Sequence, residues 1–262
     1  GVGFVFIDEL LQVFSAEPEV LTLATEYMRI ITAGLPFLFG FAVFVALMRG
    51  AGDTVTPMLV MLGTVILNVA LDPVLIFGWG PFPRMGVEGA AVATVFSRGS
   101  AMVVGVWIML RGAHGIRINP RDMRPDPAYI RRLLRIGAPA SLENTGRAIS
   151  VNAVLLIVTL FSTPVVAGFG VGIRVFSMIF MPAIAIDRGV ETMTGQNIGA
   201  GKLDRVSKTN RFAAKASFLL LASLGVLTFV FAPDIIRVFD NTPSVVSEGA
   251  TFLRWIAPTF GF

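Results

Sequence analysis

Residues 55–77 constrain this chain most, because they form an otherwise hydrocarbon-compatible run interrupted by Asn68, Asp72 and Pro73. As a helix rising about 1.5 Å per residue the run is about 34 Å long, enough to cross a bilayer core of about 30 Å. Asn68 and Asp72 stand four apart and therefore share one helix face. A carboxylate in such a span costs about 2.5 to 3.5 kcal/mol on insertion scales, a cost that asks for a function. Pro73 has no amide hydrogen, so the carbonyl of Val69 loses its helical partner. An amide oxygen, a carboxylate and a loose carbonyl at one depth make a seat for a small cation or a proton. The simpler alternative is that Asp72 only caps or pairs near the helix end.

The rest of the chain suits the same solvent. Of 262 residues, 55% are apolar and 15% charged, and the mean hydropathy is +0.78, which marks an integral membrane protein. With no cysteine in the sequence, disulfides, thiolate nucleophiles and sulfur-ligated metals are excluded. The single histidine, His114, lies in a polar loop, so no Ser/His/Asp triad or multi-histidine metal site can be built. No enzymatic activity, cofactor or resident metal is expected, beyond a transient sodium ion at Asp72. The pI near 10.1 comes from basic residues flanking spans on one side, so topology accounts for it and no nucleic-acid partner is expected.

Taken in order, residues 1–7 are apolar, too short to span, and read as the tail of a helix begun upstream, followed by an acidic loop. Spans are expected over 20–48, 55–77, 87–110, 133–160, 165–194 and 216–233, with a last helix starting near Val245. Pro36, Pro73 and Pro139 are expected to kink their helices. Gly50, Gly52 and Asp53 form a breaker-rich turn, and Pro57 suits the first turn of the helix after it. Gly89, Ala90, Ala91 and Ala93 allow close helix approach. Thr94 lies one to two turns inside its span, at a depth comparable to Asp72 if the two helices form a hairpin. Arg98 is deeper still, where a guanidinium faces a polar cavity or a carboxylate rather than lipid. Residues 111–135, with seven arginines, read as a linker between two halves. Glu143 and Arg147 can pair as i and i+4 inside their span, and Arg174 lies in the next one. The glycines from Gly168 to Gly172 lie within a span and signal close packing rather than a dinucleotide fingerprint. Residues 195–202, including Gln196 and Asn197, resemble a phosphate loop, but no Ser or Thr follows Lys202, so no nucleotide partner is expected.

Arg49, the arginines of 111–135 and the five basic residues of 202–215 fall on one side, against Arg84 and Arg237 on the other. The positive-inside rule makes the first set cytoplasmic. The segment 4–37 superposes without a gap on 229–262 with ten identities, among them Pro18 on Pro243 and Arg29 on Arg254. Both copies begin on the same side of the membrane, so they are parallel repeats of the kind found in secondary transporters. The expected architecture is an all-α polytopic membrane bundle with two parallel-repeat lobes. Residues 1–110 are the rear of the first lobe, 111–132 a cytoplasmic linker, and 133–262 the front of the second. The repeat also implies a longer whole, in which both lobes are complete.

Four ordered motifs carry a resemblance. They are RGAGDTVTPM from Arg49, NVALDPVLIFG from Asn68, MGVEGAAVAT from Met85 and GQNIGAGK from Gly195. Together they resemble the multidrug and toxic compound extrusion (MATE) family over essentially the whole chain. That resemblance implies twelve helices in two lobes, of which about seven to eight fall here. It implies a monomeric plasma-membrane antiporter that exports amphipathic, often cationic compounds against H+ or Na+. In the archaeal and DinF-like branch, the cation site would match Asn68, Asp72 and Thr94. In the NorM-like branch an acid on the seventh helix falls about where this chain has Arg147; Glu143, one turn earlier, is a candidate substitute, and the departure weakens the case for a second sodium site. A lipid-linked precursor or polysaccharide flippase of the same superfamily is the nearest alternative, favoured by Arg98, Arg147 and Arg174. A non-transporting scaffold or receptor is a distant one.

Overall fold

The computed structural model describes residues 18–112 and 125–260. The expectations for residues 1–17, for the linker around His114 and for Phe262 lie outside the described residues. Among those described are seven α-helices and no strand: α1 (Pro18–Gly50), α2 (Val55–Phe77), α3 (Gly86–Leu110), α4 (Pro127–Val158), α5 (Thr163–Gly199), α6 (Leu203–Arg237) and α7 (Pro243–Ile256), the last followed by a 3-10 turn at Ala257–Thr259. Five of them, α1, α2, α3, α5 and α6, are long and apolar enough to cross a bilayer. The chain is a multi-pass membrane protein.

Helix ends follow local chemistry, and several differ from the sequence expectation. Asp126 accepts hydrogen bonds from the amides of Ala128 at 2.9 Å and Tyr129 at 3.4 Å, and Pro127 fills the first position of α4. The expected linker over 111–132 therefore ends early, because that cap starts a helix within it. α4 is 32 residues long but is not among the five apolar helices, since Arg131, Arg132, Arg135, Glu143 and Arg147 load it with charge. The span expected over 133–160 is a helix of mixed character, and no residue of it is buried. α5 continues to Gly199, so Gln196 and Asn197 are helical rather than part of a turn. Nothing in their backbone stops the helix until Gly201, whose φ is +68°. α6 likewise takes in the basic stretch that precedes its apolar part. Between α1 and α2, Gly52 adopts a φ of +91°. Asp53 Oδ1 there accepts from the amides of Val55 at 2.9 Å and Thr56 at 3.0 Å, which supplies the first turn of α2 with its acceptor. Before α7, the carboxylate of the exposed Asp240 accepts from the Thr242 amide at 2.7 Å, and that bond holds its pKa below the ordinary aspartate value.

The helices form two compact units, α1–α3 and α4–α7. In the first unit α3 carries most of the packing, with α1 on one flank and α2 on the other. Small residues make this close approach geometrically feasible. Gly89 faces the Leu75 carbonyl, where an added methyl would come within 2.6 Å of the oxygen, and Gly105 faces the Phe44 ring. Phe41, Phe44, Met48, Ala101 and Met109 form the buried cluster. Gly34 lies against Val95, Phe37 against Gly99, Gly40 against Met102 and Phe44 against Gly105. α1 and α3 therefore run parallel, and α2 returns antiparallel between them in sequence.

In the second unit Gly168 of α5 meets the backbone of Gly249 in α7, and Gly172 meets the Phe252 ring. Val175, Ala232, Ile236, Val246, Ala250 and Leu253 are buried together there. α7 begins at Pro243, the position that the repeat aligns with Pro18 at the start of α1. Pro36, Pro73 and Pro139 lie inside α1, α2 and α4 without ending them. Among the described residues, non-helical backbone inside a helix occurs at Phe231 of α6, with φ −98° and ψ 16°, two positions before Pro233. Pro233 offers no amide to the carbonyl of Phe229. Arg254 Nε from α7 approaches that carbonyl at 3.5 Å instead.

Candidate functional site

Asn68 and Asp72 face the same way on α2 as their spacing requires, and Asn68 Nδ2 donates to Asp72 Oδ1 at 3.2 Å. Both residues are half-buried. The bond leaves Asn68 Oδ1 and Asp72 Oδ2 without a protein partner among the described residues, so two oxygens remain available on one face. Pro73 follows directly inside the helix and removes the amide that would have bonded the Val69 carbonyl.

Thr94 reaches the same depth through the α2–α3 hairpin. Gly89 packs on the Leu75 carbonyl, and the Met85 amide bonds that carbonyl at 3.0 Å. Two antiparallel helices of equal rise keep that register, so Thr94 on α3 is level with Ala70, between Asn68 and Asp72. Its hydroxyl donates to the Ala90 carbonyl at 2.9 Å and keeps its lone pairs as acceptors. The turn residues are apart from this set: Gly50, Gly52 and Asp53 lie at the α1–α2 connection and Pro57 is buried in the first turn of α2. Gln196 and Asn197 close α5, where the Ala200 amide bonds the Gln196 carbonyl at 3.1 Å and the Lys202 amide bonds the Asn197 carbonyl at 2.8 Å.

The charged residues expected inside spans separate into different situations. Glu143 and Arg147 of α4 form an ion pair at 3.3 Å, but their side chains are 72% and 75% exposed, so the pair is open rather than enclosed. Arg174 of α5 is exposed. Arg98 is half-buried at the middle of α3, and its guanidinium lies over the Phe41 ring, 5.8 Å from the centroid. Neither Arg98 nor Arg174 forms an ion pair among the described residues. The sequence reading gives Arg254 no role, although the repeat that aligns it with Arg29, together with Pro233 four positions after Phe229, is a signal for one. Among the described residues no group of three or more His, Asp or Glu side chains could hold a metal ion.

Comparison with known proteins adds to this geometry. The family model for MatE matches residues 2–74 and 139–262. A probable multidrug resistance protein NorM from Thermotoga maritima is 33% identical over 240 residues, covering 91% of this chain and 52% of that protein. Bacillus subtilis YpnP, a probable multidrug resistance protein, is 31% identical and covers 100% of this chain and 58% of its own length. An FAD transporter of Shewanella oneidensis is 29% identical, covering 98% and 57%. The chain thus spans a little over half the length of the curated relatives it matches. Among solved structures, MATE in the straight conformation superposes with a TM-score of 0.88 at 25% identity, covering 99% of this chain and 57% of that one. A MOP superfamily transporter from Pyrococcus furiosus gives 0.87 at 25%, covering 98% and 57%. With the family model matching most of the chain and the helices superposing on solved MATE transporters, this chain belongs to the MatE family.

Proposed function

We propose that the protein containing this chain is a secondary active exporter of small amphipathic or cationic organic compounds, driven by H+ or Na+ through alternating access in the plasma membrane. The hydrogen-bonded Asn68–Asp72 pair carries the reading, because a carboxylate placed in an apolar helix beside an amide and a proline-freed carbonyl suits an exchangeable cation. Asp72 takes up and releases the cation, and Asn68 and Thr94 supply neutral oxygens at its level. The division into two compact units supports a two-lobe transporter joined by the basic segment, with residues 1–110 and 133–262 in separate lobes. The multidrug-resistance names of its relatives support the substrate class. Cation occupancy biases inward-open against outward-open states only through a difference in affinity between them. A shift from 1:99 to 99:1 needs about 5.5 kcal/mol. The protein works as a monomer with lipid, the coupling ion and the exported compound as its partners.

The test is cation-driven export in vesicles holding the full-length protein. Asp72→Asn should abolish export while insertion and folding stay intact, and undiminished transport would remove Asp72 from the mechanism. A flippase of lipid-linked precursors is the second reading, favoured by Arg98 and Arg174, which form no ion pair among the described residues. Translocation of a labelled polyprenyl diphosphate sugar, with no drug export, would establish it instead.

A further inference from the structure

Arg98 occupies the midpoint of α3, the thirteenth of its 25 residues. The helix contacts fix how deep it lies. α1 and α3 run parallel and stay in register, from Gly34 on Val95 through Phe37 on Gly99 and Gly40 on Met102 to Phe44 on Gly105. The Arg98 backbone is therefore level with Pro36 and Phe37, and its guanidinium reaches about one turn further along, over Phe41. Phe41 still lies about 12 Å of helix before Arg49 at the end of α1, so the side chain does not snorkel out to the interface.

Among the described residues this charge is under-compensated. An arginine at the centre of a span costs about 2.5 to 3.5 kcal/mol on insertion scales. A cation over an aromatic face returns about 0.5 to 2 kcal/mol. A guanidinium also carries five donors, and among the described residues no carbonyl or carboxylate accepts from Arg98. Methionine or leucine would fill the same volume without the cost. Arg98 shares its helix face with Thr94, one turn away, which is level with Asn68 and Asp72. One helix face thus runs from the level of the Asn68–Asp72 pair to a cation with no ion-pair partner among the described residues.

We propose that Arg98 binds an anionic group, a carboxylate or phosphate, on the transported compound, so that this protein handles amphiphiles with both a positive and a negative group. The negative group pairs with the guanidinium through charge-assisted hydrogen bonds. The positive group lies toward Asp72. This assignment rests on the exporter reading for its substrate, yet it concerns a different residue and the opposite charge.

The experiment uses a matched pair of fluorescent rhodamines, one with a free carboxylate and the other its methyl ester. Their binding to the purified full-length protein in nanodiscs is followed by fluorescence polarisation, and their export is followed in vesicles. The wild type should prefer the free carboxylate. Arg98→Gln should weaken binding of that dye about tenfold, the size of one lost charge-assisted hydrogen bond, and leave the ester unchanged. Arg98→Lys should retain part of the preference. An unchanged carboxylate-to-ester ratio in Arg98→Gln overturns the proposal. An equal loss for both dyes also overturns it, by making Arg98 a helix-packing residue paired with a carboxylate from elsewhere in the protein. Preference lost in Arg98→Gln, with neither dye exported by the wild type, sinks the exporter reading and keeps the anion site. A wild type that binds neither dye overturns both.

Discussion

At the scale of the residue, Asp72 is held by what its neighbours give it. Asn68 supplies one donor at 3.2 Å and keeps its own oxygen free, so the amide serves both the carboxylate and any cation beside it. Asn68→Ala removes both services at once. A hydrogen bond to a charged group is worth about 1.5 to 3 kcal/mol, so export at limiting cation concentration should fall about tenfold or more. The rate should recover at saturating cation. Transport kinetics over a cation titration check this, because a merely structural role would lower the rate at every concentration. The spacing of Asn68 and Asp72 makes their shared face legible in the sequence, since i and i+4 coincide on any α-helix. Their hydrogen bond and their half-burial depend on rotamers and neighbours that no spacing encodes.

At the scale of the element, the helices are legible where their chemistry is local. Val55–Phe77 is readable to the residue because Asp53 caps one end and Gly78, with a φ of +73°, stops the other. α5 is not readable at its far end, where glycine-rich sequence resembling a loop continues as helix through Gln196 and Asn197. Pro36, Pro73 and Pro139 lie inside continuous helices, while the break falls at Phe231, ahead of Pro233. There α7 supplies Arg254 Nε to the carbonyl that Pro233 deprives of its amide. Arg254→Gln should therefore cost about 1 kcal/mol of stability, a typical net value for one hydrogen bond. In a Pro233→Ala background, where an amide can again reach the Phe229 carbonyl, the same substitution should cost little. Thermal unfolding of the four variants of this double-mutant cycle measures the coupling between the two residues. A cycle with no coupling would mean that the arginine does not hold the kink.

At the scale of the whole molecule, the distribution of charge along the sequence is the ground for the orientation we propose. Helix ends rich in basic residues, at Arg49 and over 202–215 at the start of α6, alternate along the chain with ends that carry only Arg84 or Arg237, and the positive-inside rule makes the first kind cytoplasmic. This chain contains no cysteine, so single cysteines can be introduced into it in a full-length protein cleared of any cysteine elsewhere. On intact cells a membrane-impermeant maleimide should label Phe82→Cys in the α2–α3 loop and spare Ala200→Cys in the α5–α6 turn. Both positions are exposed, so the reverse pattern would invert the topology.

The sequence by itself determined the solvent, the rough length of the apolar spans, the repeat that starts helices at Pro18 and Pro243, and the face shared by Asn68 and Asp72. All of these follow from hydropathy and helical period, which are properties of neighbours in the chain. Only the tertiary structure decided that α3 carries the packing of its unit, that Gly89 on Leu75 brings Thr94 level with the Asn68–Asp72 pair, and that Arg98 ends over Phe41 with no carboxylate beside it among the described residues. Those outcomes depend on which small residue of one helix meets which carbonyl or ring of another, a match between surfaces remote in sequence.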